Sequence, residues 1–277
     1  FADDLKLYRR VSSLSDCMKL QADLNAIAAW ARTNRFSINI SKSYTMSFSR
    51  RRKLLDFSYS LENHPLNRLD EVKDLGVIFD RQLKFSSHID AILNKAYRSL
   101  GFLIRNTSRL LDIDTYKLLY SALVRSKLEY CSSIWYPSTK AASQRIERIQ
   151  GRFVRMLFFR INGFYPSFPN QISYSQLISH LNLEALSVRR TKHDLFFLHS
   201  LLNSNISDSN LLSKVGLHVP HSILRRLHRP LLSSSLCPSS SNLSRMIDSF
   251  NTLHLELDIF SSSKEFRSAV NDALQTE

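Results

Sequence analysis

The feature that most constrains this chain is a long stretch, from Ser86 to Phe159, in which apolar residues recur every three to four positions. Such spacing places apolar side chains on one face of an α-helix. The first run has this face at Ile89, Ile92, Leu93, Ala96, Leu100 and Leu103. The second follows a cap at Asp112 or Asp114 and has Tyr116, Leu119, Tyr120 and Leu123. The third, from about Thr139, has Ile146, Ile149, Phe153 and Leu157. The pattern therefore predicts three helices that pack against one another.

The residues before Ser86 follow a different pattern. One helix is expected over residues 14–34, with Ser13 or Ser15 as its N-cap. Around it, short alternating segments are typical of half-buried strands; they are Leu5–Val11, Phe36–Ile40, Tyr44–Phe48, Phe57–Leu61 and Val72–Phe79. After Phe159, helical spacing resumes at residues 173–180 and 183–203. Two further segments, at residues 246–257 and 264–274, are expected to be helical or extended. The sequence therefore predicts an α+β fold.

The charge of the chain points to a polyanionic partner. The net charge is +14 and the pI is about 9.9, which suits nucleic acid first and an anionic membrane surface second. No run of apolar residues is long enough to span a membrane, and we expect no membrane partner. The basic residues of the third helix fall outside its apolar face; they are Lys140, Arg145, Arg148, Arg152 and Arg155.

Four consecutive cations, Arg50, Arg51, Arg52 and Lys53, form the densest basic run. They either contact phosphates or belong to a solvated loop. Lys42 lies between two of the predicted strands, in a tight or bulged connection. Gly76, inside another predicted strand, indicates a bulge or a close approach of the backbone to a ligand.

The chain opens on Phe1, Ala2, Asp3 and Asp4. Two adjacent carboxylates either help to hold divalent metal ions or form an ordinary solvated turn. Because the first residue is not Met, we expect the chain to be processed or to be a piece of a longer protein. A second group of metal-binding residue types, His218, His221 and Cys237, has a spacing that fits no common zinc pattern.

The order of these segments resembles the reverse transcriptase of non-LTR (LINE-type, jockey-like) retrotransposons, from the palm onward. Phe1–Asp4 resembles the catalytic turn of the palm, Tyr/Phe-Ala-Asp-Asp, and Asn39 with Lys42 resembles the lysine-bearing motif that follows. Leu69–Val77 is similar to the hairpin that grips the primer end. The helical continuation of the family is similar in these segments: Leu83–Ile89, Leu128–Cys131, Ile146–Phe153 and Asp258–Phe260.

The resemblance implies catalytic roles for three residues. Asp3 would be a ligand of Mg²⁺ (or Mn²⁺), and Asp4 would be its acidic neighbour at the metal site. Lys42 would stabilise or protonate the pyrophosphate leaving group, unless it is an ordinary surface lysine.

Further residues would contact the primer or the hybrid. Phe1, Ala2, Leu75 and Gly76 would line the primer end. The phosphates would be contacted by two basic groups; these are Arg50, Arg51, Arg52 and Lys53, and Arg145, Arg148 and Arg152 of the third predicted helix.

The resemblance also implies a domain order. Residues 1–80 would be a palm remnant of antiparallel strands plus a helix. Residues 81–160 would be an all-α thumb, and residues 161–277 a helical C-terminal region with a Ser/Pro-rich loop. The substrates would be an RNA template, a DNA primer and dNTPs, handled in the nucleus and cytoplasm.

In the family, a further catalytic aspartate and the fingers lie upstream of the acidic turn. The upstream fingers and palm of the same polyprotein would therefore be partners, and we expect residues 1–277 alone to be inactive. Two alternatives remain open. One is a non-catalytic, basic, helical nucleic-acid-binding protein, such as a retroelement relic. The other is a basic scaffold for protein or anionic lipid.

Overall fold

The computed structural model describes residues 4–52, 54–107, 112–166, 172–218, 231–253 and 256–274. The chain divides into two compact units, Phe1–His88 and Ile89–Glu277. The division into three regions predicted from the sequence stays a prediction.

The first unit contains one long helix and short strands. Helix α1 spans Leu14–Thr33, and a single 3₁₀ turn spans Ile40–Lys42. The strands are β1 (Tyr44–Met46), β2 (Ser60–Leu61), β3 (His64–Pro65), β4 (Asn67–Leu69), β5 (Glu71–Asp74) and β6 (Val77–Asp80). β2 pairs with β3 and β5 pairs with β6, both antiparallel, whereas β1 and β4 are parallel. The expectation of antiparallel strands therefore fails for β1 and β4.

Side-chain hydrogen bonds hold α1 against the strands. The amide of Gln21 donates to the carbonyl of Ser60 at 2.8 Å and accepts from the Ser60 N–H at 2.9 Å, as a neighbouring strand would. Burial raises the pKa of Tyr59 to about 12, and a hydrogen bond with Cys17, on α1, acts in the same direction. The N-terminus of α1 is closed by a capping box of Ser13 and Asp16. Ser13, one of the two caps expected, is therefore confirmed.

Several predicted strands have other structures. Residues 5–11 and 36–39 form no strand. The side chain of Asn39 accepts a hydrogen bond from the N–H of Lys42 at 3.2 Å, which favours a 3₁₀ turn over an extended chain. The single strand expected over Val72–Phe79 is a hairpin instead, folded at Leu75 and Gly76.

The second unit is mainly helical. Helix α2 spans Ser86–Asn106 and so begins within the first unit. The helices that follow are α3 (Ile113–Tyr120), α4 (Ser126–Glu129), α5 (Ser132–Trp135), α6 (Lys140–Asn162), α7 (Tyr174–His180), α8 (Leu186–Leu202), α9 (Ser209–Leu212), α10 (Asn242–Leu253) and α11 (Ser263–Ala273). One antiparallel pair joins β7 (Gly216–Leu217) to β8 (Leu232–Ser233).

Helix α3 continues into α4 through a π-helical turn at Ser121–Arg125. The inward residues are Tyr116, Tyr120, Val124 and Leu128, which are 1%, 0%, 0% and 0% exposed. Leu123, expected to face inward, is 37% exposed. The wider π turn is the cause, because it rotates the following residues relative to an α-helix.

The apolar faces predicted for α2 and α6 are confirmed. Every residue assigned to these two faces is buried. The ring of Tyr120 stacks on that of Phe153 with centroids 4.0 Å apart, which joins α3 to α6. A second cluster packs α8, α10 and α11 together around Leu198, Phe250 and Phe266. An α+β fold is thus confirmed at the level of class. None of the helices within the described ranges has the length and apolar character needed to cross a bilayer.

Candidate functional site

The acidic turn predicted at the start of the chain is described only from Asp4 onward. Phe1, Ala2 and Asp3 lie outside the described residues. Asp4 is exposed. Two residues later, Lys6 forms an ion pair with Asp74, with Nζ and Oδ2 2.7 Å apart. Because Asp74 immediately precedes the hairpin turn, this ion pair brings the segment that follows the acidic pair next to Leu75 and Gly76.

The β5–β6 hairpin closes with a two-residue turn in which both residues have positive φ. The angles are 43° at Leu75 and 89° at Gly76, and Asp74 pairs with Val77 across the turn. Turns of this kind match the right-handed twist of the strands and favour Asn-Gly or Gly-Gly. Leucine in the left-handed region carries a steric cost. The turn that resembles the primer-gripping hairpin is therefore also a site of backbone strain.

Lys42 is the last residue of the 3₁₀ turn, separated only by Ser43 from the start of β1 at Tyr44, and its side chain is exposed. The prediction that it lies between two strands is wrong, since residues 36–39 are not a strand. Its backbone N–H bonds to both the side chain and the carbonyl of Asn39, which fixes the turn. Its role at a triphosphate stays a prediction.

The basic run at Arg50, Arg51 and Arg52 is exposed, and Lys53 lies outside the described residues. The end of β6 anchors the run. The guanidinium of Arg81 donates to the carbonyl of Arg51, and the N–H of Ser49 donates to the carbonyl of Arg81 at 3.0 Å. The backbone of the run is thus held beside the hairpin, while its role toward phosphate stays a prediction.

The exposed arginines of α6 fall into two groups. Arg145 is paired with Asp90 at 2.7 Å, and Arg152 lies over the ring of Tyr97 at 5.2 Å. Arg148 and Arg155 are also exposed, and neither side chain makes a hydrogen bond, an ion pair or a ring contact within the part of the chain that the structure describes. Arg155 was assigned to the basic face but not to the site, although its position two turns after Arg148 marks the same side of the helix.

A groove of about 260 Å³ runs along this side of α6. Its lining residues are Gln144, Glu147, Arg148, Gly151, Arg155 and Tyr174. The absent side chain of Gly151 deepens the groove between the two arginines. A methyl group there would meet only ordinary contacts, 3.5 Å from Nη1 of Arg155 and 3.8 Å from Cδ2 of Tyr174. Internal packing therefore does not require the glycine.

A buried polar network, not found from the sequence, fixes the groove. The amide of Gln150, fully buried, accepts from the hydroxyl of Tyr120 at 3.0 Å and donates to the hydroxyl of Tyr174 at 2.9 Å. Tyr174 in turn donates to Glu147 at 2.7 Å, and burial, followed by the charge of Glu147, raises the pKa of Tyr174. The carboxylate of Glu147 also accepts the N–H of Ser187 at 2.6 Å. Its charge is thus engaged by the start of α8 rather than turned toward the groove alone.

The histidines and cysteine near residues 218–237 do not form a cluster that the structure describes. His221 lies outside the described residues, and the thiol of Cys237 donates to the carbonyl of Lys214 at 3.4 Å. No group of three metal-binding side chains occurs among the described residues.

Two curated proteins of Drosophila melanogaster are similar to the chain. One is a probable RNA-directed DNA polymerase from transposon X-element, 27% identical over 161 residues. The other is a probable RNA-directed DNA polymerase from transposon BS, 24% identical over 161 residues. Each alignment covers 57% of this chain and 18% of the relative, so the chain matches about a fifth of their length. No family model matches, and no solved structure matches significantly. The predicted resemblance to transposon reverse transcriptases is confirmed.

Proposed function

We propose that this chain is part of an RNA-directed DNA polymerase of a non-LTR retrotransposon and that its α6 groove holds the phosphate backbone of an RNA–DNA hybrid. The observation that carries the proposal is the pair of guanidinium groups at Arg148 and Arg155, on either side of Gly151, which have no partner among the residues that the structure describes. The names of the two similar proteins supply the type of nucleic acid.

The geometry of the pair suits a polyanion. The two arginines are seven positions apart, which corresponds to about 10 Å along a helix. Guanidinium groups bind phosphate oxygens through paired N–H donors. Two such groups on one helix face, in a chain of net charge +14, would neutralise phosphates along one strand and release their counterions. Gly151 leaves room for a strand to approach the helix backbone.

The chemistry proposed for the first unit is template-directed addition of dNTPs to a DNA primer. Asp3 and Asp4 would hold Mg²⁺ or Mn²⁺, for which carboxylate oxygens are suitable ligands; the exposed carboxylate of Asp4 fits this role. The ion would supply stabilisation of the charge that develops on the transferred phosphate. Lys42 would stabilise the departing pyrophosphate, and the backbone at Leu75 and Gly76 would position the primer end.

The groove is tested by hybrid binding. A variant with Arg148→Glu and Arg155→Glu is compared with one carrying Lys140→Glu and Lys264→Glu, which changes the net charge equally at exposed sites outside the groove. Fluorescence anisotropy with a labelled RNA–DNA hybrid should show at least about a tenfold loss for the first variant and a shallower salt dependence. Equal losses in both variants would contradict the groove, because only total charge would then matter.

The metal site is tested separately by NMR. Mn²⁺ bound at Asp3 and Asp4 should broaden the amide signal of Lys6, and Asp3→Ala should abolish the effect. Primer extension by residues 1–277 with Mg²⁺ is expected to stay at the level of the Asp3→Ala variant. Hybrid binding without Mn²⁺ broadening would favour the non-catalytic alternative, a basic nucleic-acid-binding protein.

A further inference from the structure

A separate cleft of about 160 Å³ lies between α8 and α11. Its lining residues are Glu184, Arg189, Lys192, His193, Phe196, Arg267 and Asn271. Three cations and a histidine thus face one carboxylate. The cleft shares no residue with the groove on α6, and the proposed function does not use it.

The two helices that form the cleft are fixed against each other. The ring of His199, on α8, stacks on that of Phe266, on α11, with centroids 4.2 Å apart. Nε2 of His199 lies 3.0 Å from the carbonyl oxygen of Ser261, just before α11. A capping box of Ser262 and Glu265 then starts α11. The walls of the cleft are therefore positioned before any ligand arrives.

The wall contributed by α11 presents side-chain donors that no other described residue of the chain uses. Within the described ranges of the chain, the side chains of Arg267 and Asn271 make no hydrogen bond and no ion pair. Arg267 instead lies over the ring of Phe196, with its guanidinium carbon 4.7 Å from the ring centroid. This contact holds the guanidinium plane in place while its N–H groups stay available. The amide of Asn271 follows one helical turn later.

The opposite wall carries cations that are already partly neutralised. Lys192, 5% exposed, pairs with Glu184, and Arg189 pairs with Glu129 and, at 3.5 Å, with Glu184. Nδ1 of His193 is 3.3 Å from the hydroxyl of Ser132, so Nε2 is the ring nitrogen of His193 that remains for a ligand. Since Glu184 is the only carboxylate among the lining residues, the cleft keeps an excess of positive charge and of N–H donors.

We infer that this cleft binds a phosphate group. Convergent donors from two fixed helices, with excess positive charge and a small volume, suit a compact tetrahedral oxyanion. A cation would meet three like charges, and an apolar ligand would leave the donors of Arg267 and Asn271 unpaired. The phosphate would come either from solution as a free anion or from the 5′ end of a nucleic-acid strand.

Thermal unfolding with sodium phosphate, at an ionic strength held constant with sodium chloride, provides the test. A ligand that binds only the folded state raises its unfolding temperature with concentration. We expect a saturating rise, on the order of a few degrees, in the natural chain. The double variant Arg267→Ala, Asn271→Ala should lose the rise. The control Lys264→Ala, an exposed residue of α11 outside the cleft, should keep it.

The same rise in all three proteins would overturn the inference, because phosphate also stabilises folded proteins non-specifically. Broadening of the phosphorus-31 NMR signal of phosphate, recorded well below the unfolding temperature, gives a second readout if the double variant is less stable. If the natural chain caused no broadening of the phosphorus-31 signal, that result would equally overturn the inference.

Competition between inorganic phosphate and oligonucleotides for the cleft identifies the source of the phosphate. Displacement of inorganic phosphate by a 5′-phosphorylated oligonucleotide, but not by the same strand with a 5′ hydroxyl, supports a strand end. Retention of inorganic phosphate against both strands supports a free anion. The Arg148→Glu, Arg155→Glu variant should keep its phosphate response, which separates this inference from the proposed function.

Discussion

Leu75 gives a direct test of the strained hairpin. With φ at 43°, it occupies the left-handed region, where an L-residue with a full side chain loses about 1–2 kcal/mol per residue. Asparagine adopts this region more readily because its short side chain bonds locally. Leu75 is 52% exposed, so any truncation also removes some burial. Both Leu75→Asn and Leu75→Ala lose this burial, so a comparison of the two variants reports the free-energy cost of the left-handed backbone conformation at residue 75.

We expect the Asn variant to hold the hairpin more firmly than the Ala variant by about 1 kcal/mol, or about fivefold in the opening equilibrium. Native-state amide exchange of β5 and β6, measured by NMR, reports this opening free energy. The matched pair Lys73→Asn and Lys73→Ala, at an exposed position of β5, should give Asn no advantage, because both residues are poor in strands.

Equal protection in the two Leu75 variants, or better protection in the Ala variant, would refute the assignment of strain to this residue. The comparison also bears on function. If the turn positions a primer through its backbone, as proposed, Leu75→Asn should bind hybrid as well as the natural chain does.

Three further predictions concern stability. Gln150→Leu should lower the free energy of unfolding of the second unit by about 3 kcal/mol, because a buried tyrosine hydroxyl and a backbone carbonyl lose their partner; exposed Gln144→Leu should change it by no more than about 0.5 kcal/mol in the same urea titrations. The N–H groups of Ser12 and Ser13, with the Ser13 hydroxyl, lower the pKa of Asp16 below its ordinary value of 3.8. The stabilisation by this cap is therefore present above that value and is lost as the pH falls through the lowered pKa. In chemical denaturation, Asp16→Asn should have a lower free energy of unfolding than the natural chain at neutral pH, and the difference should vanish in acid. A difference that stays constant with pH would disprove this origin. Gly151→Ala should raise the free energy of unfolding by up to about 1 kcal/mol in thermal unfolding, because the added methyl group has room. The same variant should bind the hybrid more weakly, because the methyl group narrows the groove. A lower free energy of unfolding would show that packing needs the glycine.

The helices could be predicted because their signals are local and redundant. The apolar faces of α2 and α6 repeat with the period of a helix, and Ser13 and Thr139 precede their helices as caps. Lys140, Arg148 and Arg155 were placed on the outer faces of α6 for the same reason, and all three are exposed.

The strands were harder to predict because alternation of apolar and polar residues over a few positions is a weak signal. Phe36–Ile40 alternates as a strand does, but one hydrogen bond, accepted by the Asn39 side chain from the N–H of Lys42, is enough to favour a 3₁₀ turn. The local sequence does not predict the turn at Leu75, because two-residue turns favour Asn or Gly at both central positions. A leucine there gives no turn signal, and only the resemblance indicated a hairpin.

The polar network around Gln150 and Glu147 was out of reach for another reason. Polar residues on a helix normally indicate its solvent face, and the partners Tyr120, Tyr174 and Ser187 lie on other helices. Their meeting depends on tertiary packing. The same holds for the separation of the α6 arginines into partnered and unpartnered groups.

The π turn at Ser121–Arg125 has a consequence for insertions and deletions. The buried residues around it, from Tyr116 to Leu128, repeat every four positions, and in a regular α-helix each such step would rotate the stripe by about 40°. The wide turn absorbs this rotation. Removal of exposed Ala122 would restore the spacing of an ordinary helix, so this segment should accept the loss of one residue. The same loss within α6 would turn its fully buried face, around Phe153, toward water.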